Sequence, residues 1–159
     1  MDLEALSNKD LLQLHAALID ELRRREVVRT SNNPVGDYAE WLVSHALGLS
    51  LGGNSQLGYD ATDDSGTRFQ IKGRRTTPQN KSTQLSAIRR LSDHQFDYLV
   101  AVIFDEHYDV VDARQIPHAT VEKFSTYREH TNAHILHLKG AILDDPTVMK
   151  IDSLLSKRN

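Results

Sequence analysis

The first part of the chain has a pattern of leucines that is typical of an amphipathic helix. Apolar residues recur at helical spacing from Leu11 to Leu22. Ser7 and Asp10 have the spacing of a capping box, in which each side chain bonds to the backbone of the other residue. The pattern predicts a helix from about residue 9 to residue 27, within an N-terminal helical extension of residues 1–30. Its leucine stripe serves either packing or dimerisation, and we favour packing.

A second helix and a strand pair are predicted next. Pro34 suits the first position of a helix, and Gly48 is a typical stop at its end. A loop over residues 52–56 follows. Further on, two β-prone runs flank the sequence Asp-Asp-Ser-Gly at residues 63–66, which is typical of a hairpin turn. We therefore expect a strand, a turn and a returning strand over residues 59–74.

The second half of the chain predicts the rest of a sheet. Residues 96–104 are the most apolar stretch, which indicates a central strand buried on both faces. The elements expected after it are a strand at 108–116, a short helix at 118–128, a strand at 135–139 and a final helix after Pro146. This order predicts an α/β sandwich around a mixed sheet, formed by residues 31–159.

Composition narrows the class of protein. The chain has 159 residues, of which 39% are hydrophobic and 26% are charged, as in globular domains of this size. It has no cysteine, which excludes disulfides, thiolate nucleophiles and cysteine-ligated metal sites. Its longest apolar run, residues 99–104, is far shorter than the roughly 20 residues that span a bilayer. The first residues lack the layout of a signal peptide, so we expect a cytoplasmic protein with no membrane partner.

The formal net charge of −3 conceals a segregation of charge. Residues 65–92 contain seven Lys and Arg and no Asp or Glu, whereas the rest of the chain has twelve basic and 22 acidic residues. Such a window attracts a polyanion if its cations share one surface. A solvated face without a partner is the alternative at this point.

Polar side chains of the predicted strand pair can converge on one point. Gln70 and Lys72 are two residues apart on a strand, so they project to the same face, while Phe69 and Ile71 project into a core. The turn returns the chain so that Asp60 lies beside Gln70, because paired strands are about 4.8 Å apart. A carboxylate, an amide oxygen and an ammonium group therefore meet at the edge of the sheet.

Glu40 can reach the same edge. It lies at the border of the apolar face of the second helix, and Gly36 one turn earlier leaves room for close approach. A solvated helix glutamate is the alternative. Mg²⁺ prefers hard oxygen ligands and lowers the pKa of bound water, so this group of side chains suits hydrolysis of a phosphodiester.

The pattern resembles the PD-(D/E)XK nuclease superfamily over about residues 34–104. The resemblance is carried by Glu40 in a helix, Gly58-Tyr59-Asp60 on one strand and Gln70-Ile71-Lys72 on the next. It implies a restriction-endonuclease-like fold, a three-layer sandwich around a central mixed sheet. Residues 31–159 would then be a nuclease-like α/β domain.

The resemblance also implies roles for individual residues. The catalytic residues would be Glu40, Asp60, Gln70 and Lys72, with Lys72 as the catalytic lysine. The ligands of Mg²⁺ or Mn²⁺ would be Asp60, Gln70, Glu40 and the Ile71 carbonyl. The cations expected along the nucleic-acid path are Arg74, Arg75, Lys81, Arg89 and Arg90. We place Arg89 and Arg90 at the end of a short helix.

Gln70 departs from the pattern, since the family has an acidic residue there. Its amide oxygen can bind Mg²⁺, but the loss of one negative charge lowers the expected affinity for the metal. The sequence predicts a metal-dependent nuclease, and we expect DNA rather than RNA as its substrate. The alternative is a catalytically inactive module of the same fold that binds DNA or serves assembly in a defence or repair complex. A homodimer is left open.

Other polar residues are given structural roles. The eight histidines do not have the spacing of metal ligands. Asp63 and Asp64 suit the hairpin turn, and Asp97 and Asp105 at the ends of the apolar strand are expected to cap or to pair.

Overall fold

The fold is an α/β structure built on a mixed six-stranded sheet, seen in a computed structural model that describes residues 1–53 and 58–156. The helices are α1 (Asn8–Arg24), α2 (Val35–Leu47), α3 (His118–Phe124) and α4 (Asp152–Leu155). The strands are β1 (Ser50–Leu51), β2 (Ala61–Thr62), β3 (Arg68–Arg75), β4 (Tyr98–Phe104), β5 (Val110–Pro117), β6 (Thr126–Arg128), β7 (Ala133–Ile135) and β8 (Met149–Lys150).

The strand order of the sheet is β1-β2-β3-β4-β5-β8. Strands β3 and β4 pair in parallel, with Gln70 opposite Leu99 and Lys72 opposite Ala101, and the other neighbouring pairs are antiparallel. Parallel strands need a long crossover connection, which residues 76–97 supply. Strands β6 and β7 form a separate two-stranded sheet.

Strand β4 separates two apolar clusters, which confirms the expected central strand. Its residues Val100, Val102 and Phe104 pack in the cluster of α2 and α4. Leu99, Ala101 and Ile103 pack in the opposite cluster, whose other members come from the crossover, β5, α3 and the segment after β7. Both faces of the sheet are therefore covered, as alternation of side chains along a buried strand requires.

Helix α1 has the predicted capping box but not the predicted packing. Ser7 Oγ accepts a hydrogen bond from the Asp10 backbone N–H, and the Ser7 N–H bonds to the Asp10 carboxylate. Leu12 and Leu18 are 71% and 55% exposed, whereas Ile19 is buried. The packing expectation is therefore wrong for most of the stripe, because only the last turns of α1 approach the rest of the molecule.

Helix α2 lies very close to strand β3. A Cβ atom on Gly73 would be 2.8 Å from both the Ala39 Cβ and the Val35 carbonyl oxygen, whereas one on Gly36 would have nothing within 4 Å. The role expected for Gly36 is therefore wrong, and Gly73 on the strand provides the close approach. Helix α2 ends as predicted at Gly48, which has a left-handed conformation.

The first hairpin strand is shorter than expected. Strand β2 consists of two residues, and Asp60 precedes it. The turn at residues 63–66 is as predicted, since Asp63 Oδ1 accepts the N–H groups of Ser65 and Thr67. In the preceding loop, residues 54–56 lie outside the described residues.

Predictions for the crossover and for the second half of the chain need correction. The segment that leads to Arg89 is extended rather than helical, because Ile88 forms a β-bridge with His134, and Arg90 after it has a left-handed conformation. Helix α3 ends at Phe124, since residues 126–128 pair with β7. The strand expected at 135–139 is β7 at Ala133–Ile135.

The strand expected at 135–139 and the helix expected after Pro146 both differ in position from the structure. Leu136 and Leu138 are buried, but they bond to the extended crossover instead of continuing β7. After Pro146 the chain first forms β8 against β5 and then helix α4, a single turn over the described residues. Within the described part of the chain, no helix has the length and apolar character needed to cross a membrane.

We expect Gly73→Ala to destabilise the fold and Gly36→Ala to leave it unchanged or slightly more stable. The methyl group at residue 73 would overlap α2, which costs about 1–3 kcal/mol. At residue 36 it meets open space in a helix, where Ala is favoured over Gly by up to about 1 kcal/mol. Urea unfolding of both variants measures the difference. A Gly73→Ala variant as stable as the wild type would contradict the close contact.

Candidate active site

Strands β2 and β3 separate at Asp60. The Asp60 backbone N–H donates to the Phe69 carbonyl at 2.8 Å, and beyond this bond β3 continues without β2 beside it. The Asp60 carboxylate takes the place of the missing strand, because its Oδ2 accepts the Ile71 N–H at 2.7 Å. The N–H and carbonyl of one strand residue point to the same edge, so the Ile71 carbonyl also faces the opening.

The expected alternation of side chains along β3 is present. Phe69 and Ile71 are buried in the cluster of α2, at 6% and 5% exposure. Gln70 and Lys72 are partly buried and border the same cavity. This cavity has a volume of about 390 Å³ and is lined by Gly36, Glu40, Gly58, Asp60, Gln70, Ile71, Lys72, Gly73, Ser86, Ala87, Arg89, Arg90 and Gln95.

Two polar groups of β3 define the floor of this cavity. Gln70 Oε1 is buried and has no hydrogen-bond partner, which is costly for an amide oxygen and points to an absent donor or cation. Lys72 Nζ donates to the Ala87 carbonyl at 3.2 Å. The extended crossover thus forms one wall of the cavity and holds the lysine ammonium group.

Glu40 reaches the cavity from α2, as predicted, and it has a partner that the sequence did not reveal. Arg29 Nη2 contacts Glu40 Oε2, and Arg29 Nη1 donates to the Gly52 carbonyl at 3.0 Å. Arg29 lies in the connector between α1 and α2, inside the predicted N-terminal extension. Nothing in the local sequence around Arg29 signals a contact with a residue on another element.

Burial dominates the electrostatics of the two carboxylates. It raises the pKa of Glu40 to about 7; the Asp60 charge adds to this rise, and Arg29 opposes it. Burial also raises the pKa of Asp60, against the Ile71 hydrogen bond and the charges of Lys72 and Arg29. The nearby positive charge is therefore too small to offset burial, and ionisation of both carboxylates in this cavity is unfavourable.

Burial acts on Lys72 in the opposite direction. It lowers the pKa of the Lys72 ammonium group, and the charges of Asp60 and Glu40 oppose that fall. Perturbed titratable groups in one cavity are typical of functional sites. Lys72 is thus a cation with little solvation, held beside two carboxylates.

The donor set of the cavity fits a hard divalent cation. Glu40 and Asp60 supply two carboxylates, Gln70 Oε1 is buried without a partner, and the Ile71 carbonyl faces the same opening. One or two carboxylates are usual for Mg²⁺, which keeps several waters. Among residues 1–53 and 58–156, no cluster of three or more His, Asp or Glu side chains that could hold a metal occurs. Any metal here would therefore depend on the amide and backbone oxygens as well.

Two of the cations expected along the nucleic-acid path are used within the fold. Arg74 donates to the Ser82 carbonyl at 3.0 Å and so orders the loop after β3. Arg75 projects to the opposite face of the sheet, where it stacks on Tyr108 and donates to the Glu106 carbonyl. The structure therefore does not bring Arg75 to the cavity.

The other expected cations are placed differently. Arg89 and Arg90 line the cavity on the wall opposite α2, and Arg90 forms an ion pair with Asp93. Lys81 is exposed in the loop after β3. Within the described residues, neither Lys81 nor Arg89 has a side-chain hydrogen bond or an ion pair. These two side chains can meet an anion without breaking an existing contact.

The carboxylates that were given structural roles have them. Asp97 pairs with Arg68 at 2.9 Å and accepts its backbone N–H. Asp105 accepts the N–H groups of His107 and Asp109 in the turn before β5. Both expectations are confirmed.

A larger cleft of about 790 Å³ lies beside the cavity, between the end of α1 and α2. Its walls include Trp41, His45 and a run of arginines, but Arg24 and Arg25 are paired with Glu21. Its described lining has no buried side-chain oxygen without a hydrogen-bond partner, whereas the smaller cavity has Gln70 Oε1. The smaller cavity is therefore the better candidate for chemistry.

Comparison with known proteins does not assign the chain to a family. No family model and no curated protein matches it. The resemblance noted from the sequence stays a prediction.

We expect the free energy of unfolding to fall as the pH rises from about 4.5 to about 7. Unfolded Glu40 ionises near its ordinary pKa of 4.5, whereas folded Glu40 keeps its proton up to about 7. The folded state thus binds more protons in this window, and ionisation costs stability. Glu40→Gln removes this contribution. Between pH 4.5 and 7 the free energy of unfolding of the variant should therefore fall by about 1–3 kcal/mol less than that of the wild type.

Urea unfolding at several pH values, without divalent metal, measures this decline. Glu129→Gln, on an exposed turn, is the control. A pH dependence that is the same in wild type and Glu40→Gln would show that Glu40 is not held in the buried site.

Proposed function

We propose that this protein is a metal-dependent nucleic-acid phosphodiesterase, a DNA endonuclease that uses Mg²⁺ or Mn²⁺. The observation that carries the proposal is the convergence of two partly buried carboxylates, an unpartnered amide oxygen and a lysine ammonium group in one open cavity. The arrangement lies where two strands of the sheet separate, so the backbone of β3 also contributes to it.

The finer fold assignment belongs to the same proposal. A mixed sheet covered on both faces, with Glu40 on the helix packed against β3, is compatible with a restriction-endonuclease-like fold. In that reading α2 carries Glu40, the residue before β2 is Asp60, and β3 carries Gln70, Ile71 and Lys72. All five then border one cavity, as the proposal requires.

The chemistry follows from what each residue can hold. Asp60, Glu40, Gln70 Oε1 and the Ile71 carbonyl would hold the metal, which would supply a Lewis acid for water and for the phosphate. The Lys72 ammonium group has further N–H bonds besides the one to Ala87, and these can orient a water or stabilise charge on a phosphate oxygen. Arg89 and Arg90 on the facing wall suit phosphates of the nucleic-acid backbone.

We expect Asp60→Asn and Lys72→Met to reduce cleavage of DNA about 100-fold or more. Asparagine keeps an oxygen acceptor for the Ile71 N–H but removes the charge, and methionine keeps an unbranched chain but removes the ammonium group. Purified protein is incubated with linear, nicked, branched and single-stranded DNA and with RNA in Mg²⁺ or Mn²⁺, and the products are separated on denaturing gels.

Matched controls come from the same chain. Asp64 is exposed in the hairpin turn, and Lys9 is exposed in the first turn of α1. The variants Asp64→Asn and Lys9→Met should therefore cleave DNA as the wild type does. If Asp60→Asn and Lys72→Met cleave like these controls, the activity belongs to another site or to a contaminant.

A second candidate is a nuclease-fold module that binds DNA without cutting it. The observation in its favour is Gln70, because the described site has two carboxylates and no third acidic ligand. Such a module needs only the cations on the wall of the cavity and in the neighbouring loop. Its expected behaviour differs from that of the nuclease in both metal and salt dependence.

For this second candidate, DNA binding should persist in a chelator and in Asp60→Asn. Affinity should fall with salt on a log–log plot, because phosphate neutralisation releases counterions. Arg89→Ala should lower the slope by about one unit, whereas Lys9→Ala should not change it. Fluorescence anisotropy with a labelled duplex measures the slope. Calorimetric binding of Mn²⁺ that is lost in Asp60→Asn would favour the nuclease instead.

A further inference from the structure

We propose that Arg29 is a positioning residue of the candidate site, and that it assists the binding of a divalent cation by holding Glu40 at the cavity. The inference rests on the proposed function, because the cation is the one that this function requires. In the opposite role, Arg29 would compete with the cation for Glu40, and its side chain would have to move away before a cation binds. Three features of the geometry favour the first role.

The first feature is that one guanidinium group joins the parts of the chain that carry both carboxylates. Arg29 Nη2 contacts Glu40 Oε2 on α2, and Nη1 donates to the Gly52 carbonyl at 3.0 Å. The Gly52 N–H in turn donates to the Asp60 carbonyl at 2.8 Å. Arg29 therefore fixes the position of α2 relative to the segment that holds Asp60.

The second feature is that the backbone of Arg29 is itself anchored. Asp37 Oδ2 accepts the N–H groups of Arg29 and Thr30, at 2.9 and 2.7 Å, and the Thr30 hydroxyl at 2.9 Å. Val28, the preceding residue, is 2% exposed. Asp37 and Glu40 lie one turn apart on α2, so the same helix holds the arginine backbone and receives its guanidinium group.

The third feature is how the contact leaves Glu40 available. Arg29 engages Oε2 and not Oε1, and a carboxylate can accept from two directions at once. The Arg29 side chain is 43% exposed and that of Glu40 is 16% exposed, so the guanidinium group is the more solvent-accessible partner of the pair. A residue that blocks the cavity would be expected to lie within it, and Arg29 does not border the cavity that Lys72 and Asp60 share.

The test is calorimetric titration of the full chain with Mn²⁺ alone, which does not depend on cleavage. We expect Arg29→Gln to weaken Mn²⁺ binding about tenfold and Arg29→Lys to weaken it less, because lysine keeps the charge but not the paired donors of the guanidinium group. Arg25→Gln is the matched control, since Arg25 pairs with Glu21 on α1 and lies outside the cavity. It should bind Mn²⁺ as the wild type does.

A double-mutant cycle with Glu40→Gln separates positioning from a general effect on the fold. If Arg29 acts through Glu40, adding Arg29→Gln to Glu40→Gln causes no further loss of Mn²⁺ affinity. Circular dichroism melts show whether each variant is folded at the temperature of the titration. If Arg29→Gln is unfolded there, the cycle is run with Arg29→Lys.

Each outcome has a definite meaning. Unchanged or tighter Mn²⁺ binding in Arg29→Gln overturns the inference, and tighter binding identifies Arg29 as a competitor. An equal loss of affinity with and without Glu40→Gln also overturns it. If the wild type shows no Mn²⁺ binding that depends on Asp60, the proposed metal site is wrong and this inference falls with it. The two failures are thus distinguishable.

Discussion

The hydrogen bond from the Ile71 N–H to the Asp60 carboxylate is the interaction on which the candidate site depends. A strand in a sheet needs a partner for each backbone group, and β3 loses its partner β2 after Phe69. The Asp60 side chain supplies the acceptor that a longer β2 would have supplied. The sheet can therefore open at this point without leaving an unsatisfied donor, and the opening is where the cavity lies.

The opening places two carboxylates close together and partly away from water, which is electrostatically unfavourable, and nearby cations offset part of this cost. Asp60 and Glu40 are both partly shielded from water, and burial raises the pKa of each. Lys72 and Arg29 provide the positive charge within the fold that opposes this rise, one from β3 and one from the α1–α2 connector. A cation bound between the carboxylates would also lower their pKa values. The donor set and the charge balance therefore support the same proposal.

Features that depend on neighbours in sequence could be predicted, and features that depend on distant segments could not. The Ser7 capping box, the Gly48 stop and the alternation of side chains along β3 follow from spacings of two to four residues. The contact of Arg29 with Glu40 and that of Lys72 with Ala87 depend on how the connector and the crossover pack. The same limit explains why the role expected for Gly36 was wrong, since only the packed pair of elements shows that the missing Cβ is needed at Gly73.

The basic window of residues 65–92 illustrates the same limit for charge. Its cations are contiguous in sequence, yet alternation along β3 sends Arg74 and Arg75 to opposite faces of the sheet. The ones that remain near the cavity, Arg89 and Arg90, come from the crossover, whose Ala87 carbonyl accepts a hydrogen bond from Lys72 on β3. A phosphate that entered the cavity would therefore meet carboxylates from α2 and from the residue before β2, and arginines from the crossover. This division between two walls, rather than the net charge of the window, supports the proposal that the cavity takes a cation and a phosphate together.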